Sequence, residues 1–140
     1  MDPTRVVIDT NILFAALLHP QAGLREIILT DPIHRFFSPR WVMVELFKHK
    51  ERIAVATELP EEDLLECLNE LLARLTFIEE GAMPIGTWME GRRLCAQVDR
   101  KDAPFVTLTL HLDGRLWSDD AELKAGLLAQ GFDRVPFFTP

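Results

Sequence analysis

The chain has 140 residues, of which 48% are apolar and 26% charged, so we expect one globular domain over residues 1–140 without long disorder. Asp and Glu number 22 against 15 Lys and Arg, and the resulting net charge of −7 excludes nucleic-acid binding through bulk positive charge. A chain of this charge can still act on nucleic acid if metal ions neutralise a local acidic cluster, and a basic partner or a locally basic rim could supply the attraction. Two cysteines are too few for a zinc site or a disulfide framework, and Asp9 and Asn11 interrupt the apolar stretch near the start of the sequence. We therefore expect a cytoplasmic protein with no membrane partner.

The first 78 residues alternate short apolar segments, which predict strands, with patterns of helical period. The predicted elements are a strand at 6–8, helices at 11–18 and 24–28, a strand at 33–37, helices at 38–53 and 61–75, and a strand at 76–78. Ser38 and Pro39 predict where the third helix begins, because a hydroxyl caps a helix and proline fits its first position. Pro60 and the acidic residues 61–63 predict the start of the next helix, since negative charge stabilises a helix N-terminus.

The second half of the chain contains a segment whose pattern fits two structures. Residues 106–112 alternate strictly and precede Asp113-Gly114, which is typical of a hairpin. The spacing of the apolar residues also fits a helix, which Asp102 and Pro104 would begin, so the pattern leaves both structures open. The other predicted elements are a helix at 88–98 with Met89, Leu94 and Ala96 buried, a strand at 116–117, a helix at 121–130 that Gly131 closes, and a strand at 135–138.

Strands that alternate with helices predict an α/β protein, a sandwich of helices around a mainly parallel sheet. Ligands of such sheets bind beyond the carboxyl ends of the strands. Asp9 follows the first predicted strand, and Asp119 and Asp120 follow the strand at 116–117. We therefore expect the chemistry of this protein at that edge of the sheet.

Four segments resemble the motifs of the PIN-domain ribonuclease family. They are Val7-Ile8-Asp9-Thr10-Asn11, Glu45 within a helix, Asp102-Ala103-Pro104-Phe105-Val106 with the apolar run to Leu112, and Leu116-Trp117-Ser118-Asp119-Asp120 followed by Leu123. By this resemblance the four catalytic acids are Asp9, Glu45, Asp102 and Asp120. Asp9, Asp102 and Asp120 are then metal ligands, and the pocket is also lined by Asn11, Ser118 and Asp119. The chain departs from the family at Asp119, where a small or neutral residue is usual, and the spacing to Leu123 favours Asp120 as the acid that points inward.

The resemblance implies a three-layer α/β/α sandwich, a helix over residues 102–112, and an acidic pocket that binds Mg²⁺ or Mn²⁺. It also implies hydrolysis of RNA phosphodiester bonds and the role of toxin in a toxin–antitoxin pair, whose antitoxin would cover the pocket. The chemistry agrees, because hard cations prefer carboxylate oxygens and can both acidify water and neutralise charge on a phosphate. RNA, an antitoxin protein and a second copy of the chain are the expected partners.

Other interpretations stay open at this point. Several cations are candidates for phosphate contacts where they border the pocket, namely Arg40, Lys48, Arg92, Arg93, Arg100, Lys101 and Lys124. A PIN-fold interaction module that has lost catalysis is one alternative function, which the presence of four acids disfavours. A phosphatase-like or receiver-like protein with Asp9 as nucleophile is another, but no clear lysine follows a predicted strand as that chemistry requires.

Overall fold

Four short strands form a parallel sheet in the order β3-β2-β1-β4 in a computed structural model that describes residues 1–19 and 23–135. The strands are β1 (Arg5–Ile8), β2 (Arg35–Pro39), β3 (Leu75–Ile78) and β4 (Arg115–Trp117). Val7 of β1 lies between Phe37 of β2 and Leu116 of β4. The side chains of β1 from Val6 to Ile8 are fully buried, as expected for a central strand covered on both faces.

The described part of the chain contains eight α-helices and two short 3₁₀ helices. The α-helices are α1 (Thr10–Leu18), α2 (Leu24–Thr30), α3 (Trp41–Lys48), α4 (Lys50–Ala56), α5 (Glu61–Ala73), α6 (Ile85–Cys95), α7 (Ala103–Leu112) and α8 (Ala121–Ala129). The 3₁₀ helices cover Glu80–Ala82 and Arg100–Asp102. No helix in these residues is long and apolar enough to cross a membrane.

The strand order places the helices in two layers. The chain moves outward from β1 to β2 and β3 and then returns across the sheet to β4, so right-handed crossovers put α1–α5 on one face and α6 and α7 on the other. The packing agrees, because α1 contacts α2, α3, α4 and α5, whereas α7 contacts β1, β2, β4 and α6. The predicted three-layer α/β/α sandwich with a parallel central sheet is confirmed.

Helix α7 resolves the segment whose pattern fitted two structures. It runs from Ala103 to Leu112, as the family resemblance implied, and Asp113 ends it in the left-handed conformation with φ 51°. Gly91 on the neighbouring helix α6 lets the two helices approach closely, because a methyl group there would overlap the side chain of Thr107.

The predicted helix at 38–53 is wrong at its start and in its continuity. Ser38 and Pro39 belong to β2, where they lie opposite Phe77 and Ile78 of β3, so strand pairing overrides the local cap signal. The helical segment begins at Trp41 and is divided at His49 into α3 and α4.

Two predicted core positions on α6 are also wrong. Met89 is 67% exposed because α6 buries the face that contains Gly91, Leu94 and Cys95, and Ala96 is exposed just after the last residue of the helix. In the predicted strand at 135–138, Val135 is buried but not part of a strand, and residues 136–138 lie outside the described residues.

Candidate functional site

The site begins at the carboxyl ends of β1 and β4, two neighbouring strands whose following helices lie on opposite faces of the sheet. Helix α1 joins the layer of α2–α5, and α8 contacts α6 in the other layer. Such a switch point is where open parallel sheets form their binding crevice. Ile8 and Trp117 are register partners, so Asp9 and Ser118 follow side by side, and the Ser118 hydroxyl donates a hydrogen bond of 2.6 Å to Asp9 Oδ2.

Asp9 is a buried carboxylate held at both oxygens. It caps α1, where Oδ1 accepts a hydrogen bond of 3.4 Å from the Asn11 N–H, and the residue is only 5% exposed. Burial raises the pKa of Asp9, the hydrogen bonds from Ser118 and Asn11 oppose that rise, and the charges of Asp119 and Asp120 add to it. A buried carboxyl group whose pKa is raised in this way is typical of a functional site.

Asp120 caps α8 and is tied to Asp9 through Ser118. Its Oδ1 accepts hydrogen bonds from the N–H groups of Glu122 (3.0 Å) and Leu123 (3.1 Å). Its own N–H donates to Ser118 Oγ over 3.2 Å, so one hydroxyl orients two acids. Capping uses one carboxylate oxygen and leaves Oδ2 available to a ligand.

Asp102 is a third acid at the same place. It ends the 3₁₀ helix Arg100–Asp102 and precedes α7, and its side chain forms no capping hydrogen bond. Burial raises the pKa of Asp102 to about 7, and the charges of Asp9, Asp99 and Asp120 contribute to the rise. Because burial and these charges disfavour the ionised form, the Asp102 carboxyl group is partly protonated near neutral pH.

These acids share one cavity of about 210 Å³ with residues from both helical layers. Its lining consists of Asp9, Thr10, Asn11, Phe14, Trp41, Glu45, His49, Arg52, Asp99, Lys101, Asp102, Phe105 and Asp120. All four acids that the sequence singled out and Asn11 are therefore brought together. Ser118 contacts Asp9 without lining the cavity, and Asp119 is exposed outside the lining.

Glu45 reaches the cavity from α3. Its side chain is 18% exposed, and its Oε2 lies 3.7 Å from Nε2 of His49, four residues further along the chain. The His49 ring stands edge-on to Phe14, with 5.7 Å between ring centroids and 86° between planes. His49 therefore packs against Phe14 and lies beside the Glu45 carboxylate.

The donor set fits a hard divalent cation in its chemistry. The cavity presents carboxylate oxygens and the amide of Asn11, which are ligands that Mg²⁺ and Mn²⁺ favour. Thr10 Oγ1 is buried in the same wall and has no hydrogen-bond partner among the described residues. Within those residues, no three His, Cys, Asp or Glu side chains converge closely enough to form a metal-binding group. Mg²⁺ keeps several water ligands, so a few carboxylates suffice to hold it.

The cavity is not the largest depression on the molecule. An apolar groove of about 470 Å³ lies where Leu46 and Ile53 of α3 and α4 face Leu64 and Leu68 of α5. Most of its lining is aliphatic, so it lacks the acid cluster that distinguishes the smaller cavity. We therefore place the candidate chemistry in the acidic cavity.

Several lining residues were not singled out from the sequence. They are Thr10, Phe14, Trp41, Arg52, Asp99 and Phe105, together with His49, to which no role was given. A signal exists for two of them, because His49 and Arg52 follow Glu45 at helical spacings of four and seven residues. Of the seven cations considered for phosphate contacts, Lys101 lines this cavity.

Comparison with known proteins gives a family and a fold. The model of the PIN domain family matches residues 7–138. Among solved structures, one similar chain comes from the crystal structure of VapBC2 from Rickettsia felis bound to a DNA fragment from its promoter. The two chains superpose with a TM-score of 0.65 at 18% sequence identity. The match covers 86% of this chain and 92% of that chain. The comparison with curated proteins found no match.

Proposed function

Because this chain belongs to the PIN domain family, we propose that it is a Mg²⁺- or Mn²⁺-dependent endoribonuclease that hydrolyses RNA phosphodiester bonds. The observation that carries the proposal is one cavity that Asp9, Glu45, Asp102 and Asp120 all line, although they come from four separate segments of the chain. Like charges gathered in a partly buried crevice destabilise the fold, so their presence favours a function over a structural role.

In this mechanism Asp9, Asp102 and Asp120 are the residues that would hold the cation. When bound, it supplies Lewis acidity and neutralises the charge that develops on the phosphate. Ser118 keeps Asp9 Oδ2 in place, and the main-chain N–H groups of Glu122 and Leu123 keep Asp120 Oδ1 in place. Both acids are thereby oriented before the substrate arrives, which reduces the entropy lost in the reaction.

Two carboxyl groups, those of Asp102 and Glu45, gain or lose a proton in this mechanism. With its pKa raised to about 7, Asp102 is partly protonated at neutral pH in the cation-free protein, and a bound cation would favour the charged form and so release this proton to solvent. Glu45, whose carboxylate lies 3.7 Å from His49, accepts a proton from the attacking water. The family resemblance implies that the bond between phosphorus and the 3′-oxygen breaks and that this oxygen takes a proton from solvent, which leaves one RNA fragment with a 5′-phosphate and one with a 3′-hydroxyl.

We further propose that the chain is the toxin of a toxin–antitoxin pair and acts in the cytoplasm. The family resemblance and the fold shared with the VapBC2 chain support this role. Induced expression alone should then arrest growth, and the Asp9→Asn variant should not. An antitoxin would cover the acidic cavity. A second copy of the chain is a further proposed partner, and light scattering of the purified protein tests whether it forms a dimer.

The proposed reaction is tested by incubating a mixed RNA pool with Mg²⁺, Mn²⁺ or EDTA. The wild type should cleave with either cation and not in EDTA, and Asp9→Asn should lose cleavage by a factor of about 10²–10³. Asp133→Asn is the matched control, because Asp133 is exposed and lies outside the cavity. A folded wild type that neither cleaves RNA nor melts at a higher temperature with cation would contradict the proposal and favour an interaction module without catalysis.

A further inference from the structure

The cavity combines an excess of acid with two cations from opposite sides. Five carboxylates line it, those of Asp9, Glu45, Asp99, Asp102 and Asp120. Arg52 comes from α4 and Lys101 from the 3₁₀ helix before α7. Because α4 and α7 belong to opposite helical layers, the two cations approach the acids from different walls.

Arg52 and Lys101 are not paired with any individual carboxylate in the described part of the chain. Other arginines form short ion pairs, among them Arg25 with Glu70, Arg40 with Glu79 and Arg93 with Glu90. Arg52 and the Lys101 ammonium form no ion pair or side-chain hydrogen bond within residues 1–19 and 23–135, although carboxylates line the same cavity. The folded chain thus presents two free donors of positive charge beside its acids.

Thr10 gives an independent indication that a ligand enters here. The residue is 8% exposed, lines the cavity, and its hydroxyl has no hydrogen-bond partner among the described residues. A buried hydroxyl without a partner costs free energy, and such groups are usually satisfied by a ligand or a water molecule.

We propose that Arg52 and Lys101 bind the RNA backbone phosphates on either side of the phosphate that reacts. The proposal rests on the proposed function and assigns it substrate-binding residues. An acidic chain with a net charge of −7 repels RNA as a whole, so attraction has to come from cations placed at the site. The Arg52 guanidinium offers a fork of donors to phosphate oxygens, whereas the Lys101 ammonium acts as a point charge.

Binding is measured by fluorescence anisotropy of a labelled single-stranded RNA oligonucleotide, with Ca²⁺ in place of Mg²⁺ so that hydrolysis is slow. Arg52→Ala and Lys101→Ala should each weaken binding about tenfold, the loss expected for one hydrogen bond to a charged group. The slope of log affinity against log salt should fall by about 0.7 for each phosphate contact removed. Arg52→Lys should recover part of the affinity, because it keeps the charge and loses the fork.

Lys50→Ala is the matched control for both variants. Lys50 lies on α4 with Arg52, is exposed, carries the same charge and lines the apolar groove, not the acidic cavity. It should change neither the affinity nor the salt slope to a comparable degree. Equal losses of RNA affinity in Lys50→Ala, Arg52→Ala and Lys101→Ala would overturn the proposal, since they would reflect only the change in the net charge of the protein. Thermal melts of all variants establish that each is folded.

Cleavage assays on the same proteins separate this inference from the proposed reaction. If RNA binding depends on Arg52 and Lys101 but the wild type does not cleave in Mg²⁺ or Mn²⁺, the assignment of these two residues to RNA binding is supported and the proposed hydrolysis is refuted. If the wild type cleaves and the two variants match Lys50→Ala in KM, the proposed function stands and this inference is refuted. A wild type that binds no RNA would refute both.

Discussion

Replacing Asp102 by Asn should stabilise the cation-free protein in a pH-dependent way. The carboxyl group has its pKa raised from 3.8 to about 7 in the folded state. At about 1.36 kcal/mol per unit the full shift corresponds to ~4 kcal/mol, and since Asp102 is only partly buried we halve this for solvent screening, to about 2 kcal/mol. Asn keeps the shape and the helix-capping ability of Asp without its charge.

The direction of this pH dependence follows from proton binding at Asp102. Between pH 4 and pH 7 the folded wild type binds more protons at Asp102 than the unfolded chain does, so the free energy of unfolding falls as pH rises through this window. The Asp102→Asn protein has no carboxyl group at this position, so this contribution to the fall in the free energy of unfolding is absent. Its stability relative to wild type should therefore increase from pH 4 to pH 8 by about 2 kcal/mol, or roughly 6 °C in Tm for a chain of this length.

The assay is urea denaturation in EDTA at pH 4.5 and pH 8, with Asp133→Asn as the control for loss of an exposed carboxylate. The control should track the wild type at both pH values. A variant no more stable than wild type at pH 8, or equally stabilised at both pH values, would refute the argument that crowded carboxylates raise the pKa of Asp102.

Three further outcomes follow from the same geometry. Saturating Mg²⁺ or Mn²⁺, at about 100 times its Kd, should stabilise the wild type by about 2.7 kcal/mol, measured as a rise in Tm. Asp120→Asn should lower RNA cleavage by a factor of about 10²–10³ and Asp119→Asn far less, because only Asp120 of the two lines the cavity. Gly91→Ala should destabilise the fold by about 1–3 kcal/mol in urea denaturation, since the added methyl overlaps Thr107, whereas Gly86→Ala on the same helix meets no neighbour and should not destabilise it.

Each of these expectations has an outcome that contradicts it. An unchanged Tm with either cation would count against the metal site. Equal activity losses in the Asp119 and Asp120 variants would mean that the exposed acid also acts in the reaction. A Gly91→Ala protein as stable as Gly86→Ala would show that α6 and α7 separate at little cost.

Local features of the sequence mark Asp9 and Asp120, which follow predicted strands, whereas Glu45 and Asp102 could be proposed only through the family resemblance. A buried β-branched run that ends in Asp9 indicates a strand end, and parallel strands bring their carboxyl ends to one edge. The helix over 102–112 could not be settled from pattern alone. Residues on all sides of α7 are buried, including Phe105, Thr107 and Leu108, so its polarity carries no helical period, and the family resemblance was needed to choose.

The remaining parts of the site depend on tertiary packing. Ser38 and Pro39 carry a strong helix-start signal that pairing with β3 overrides, and His49 divides the helical segment that follows. The position of Arg52 in the cavity depends on that division and on the packing of α4 against α1. Lys101 was among the cations considered from the sequence, and Arg52 follows Glu45 at a helical spacing, but only the folded chain brings both cations to the same cavity.

The decisive experiment for a metal-dependent ribonuclease is cleavage of a mixed RNA pool by the wild type, Asp9→Asn and Asp133→Asn, each shown to be folded. We expect cleavage by the wild type and Asp133→Asn in Mg²⁺ or Mn²⁺, none in EDTA, and a loss of about 10²–10³-fold in Asp9→Asn. Cleavage that persists in Asp9→Asn, or in EDTA, would contradict a metal-dependent reaction in the acidic cavity.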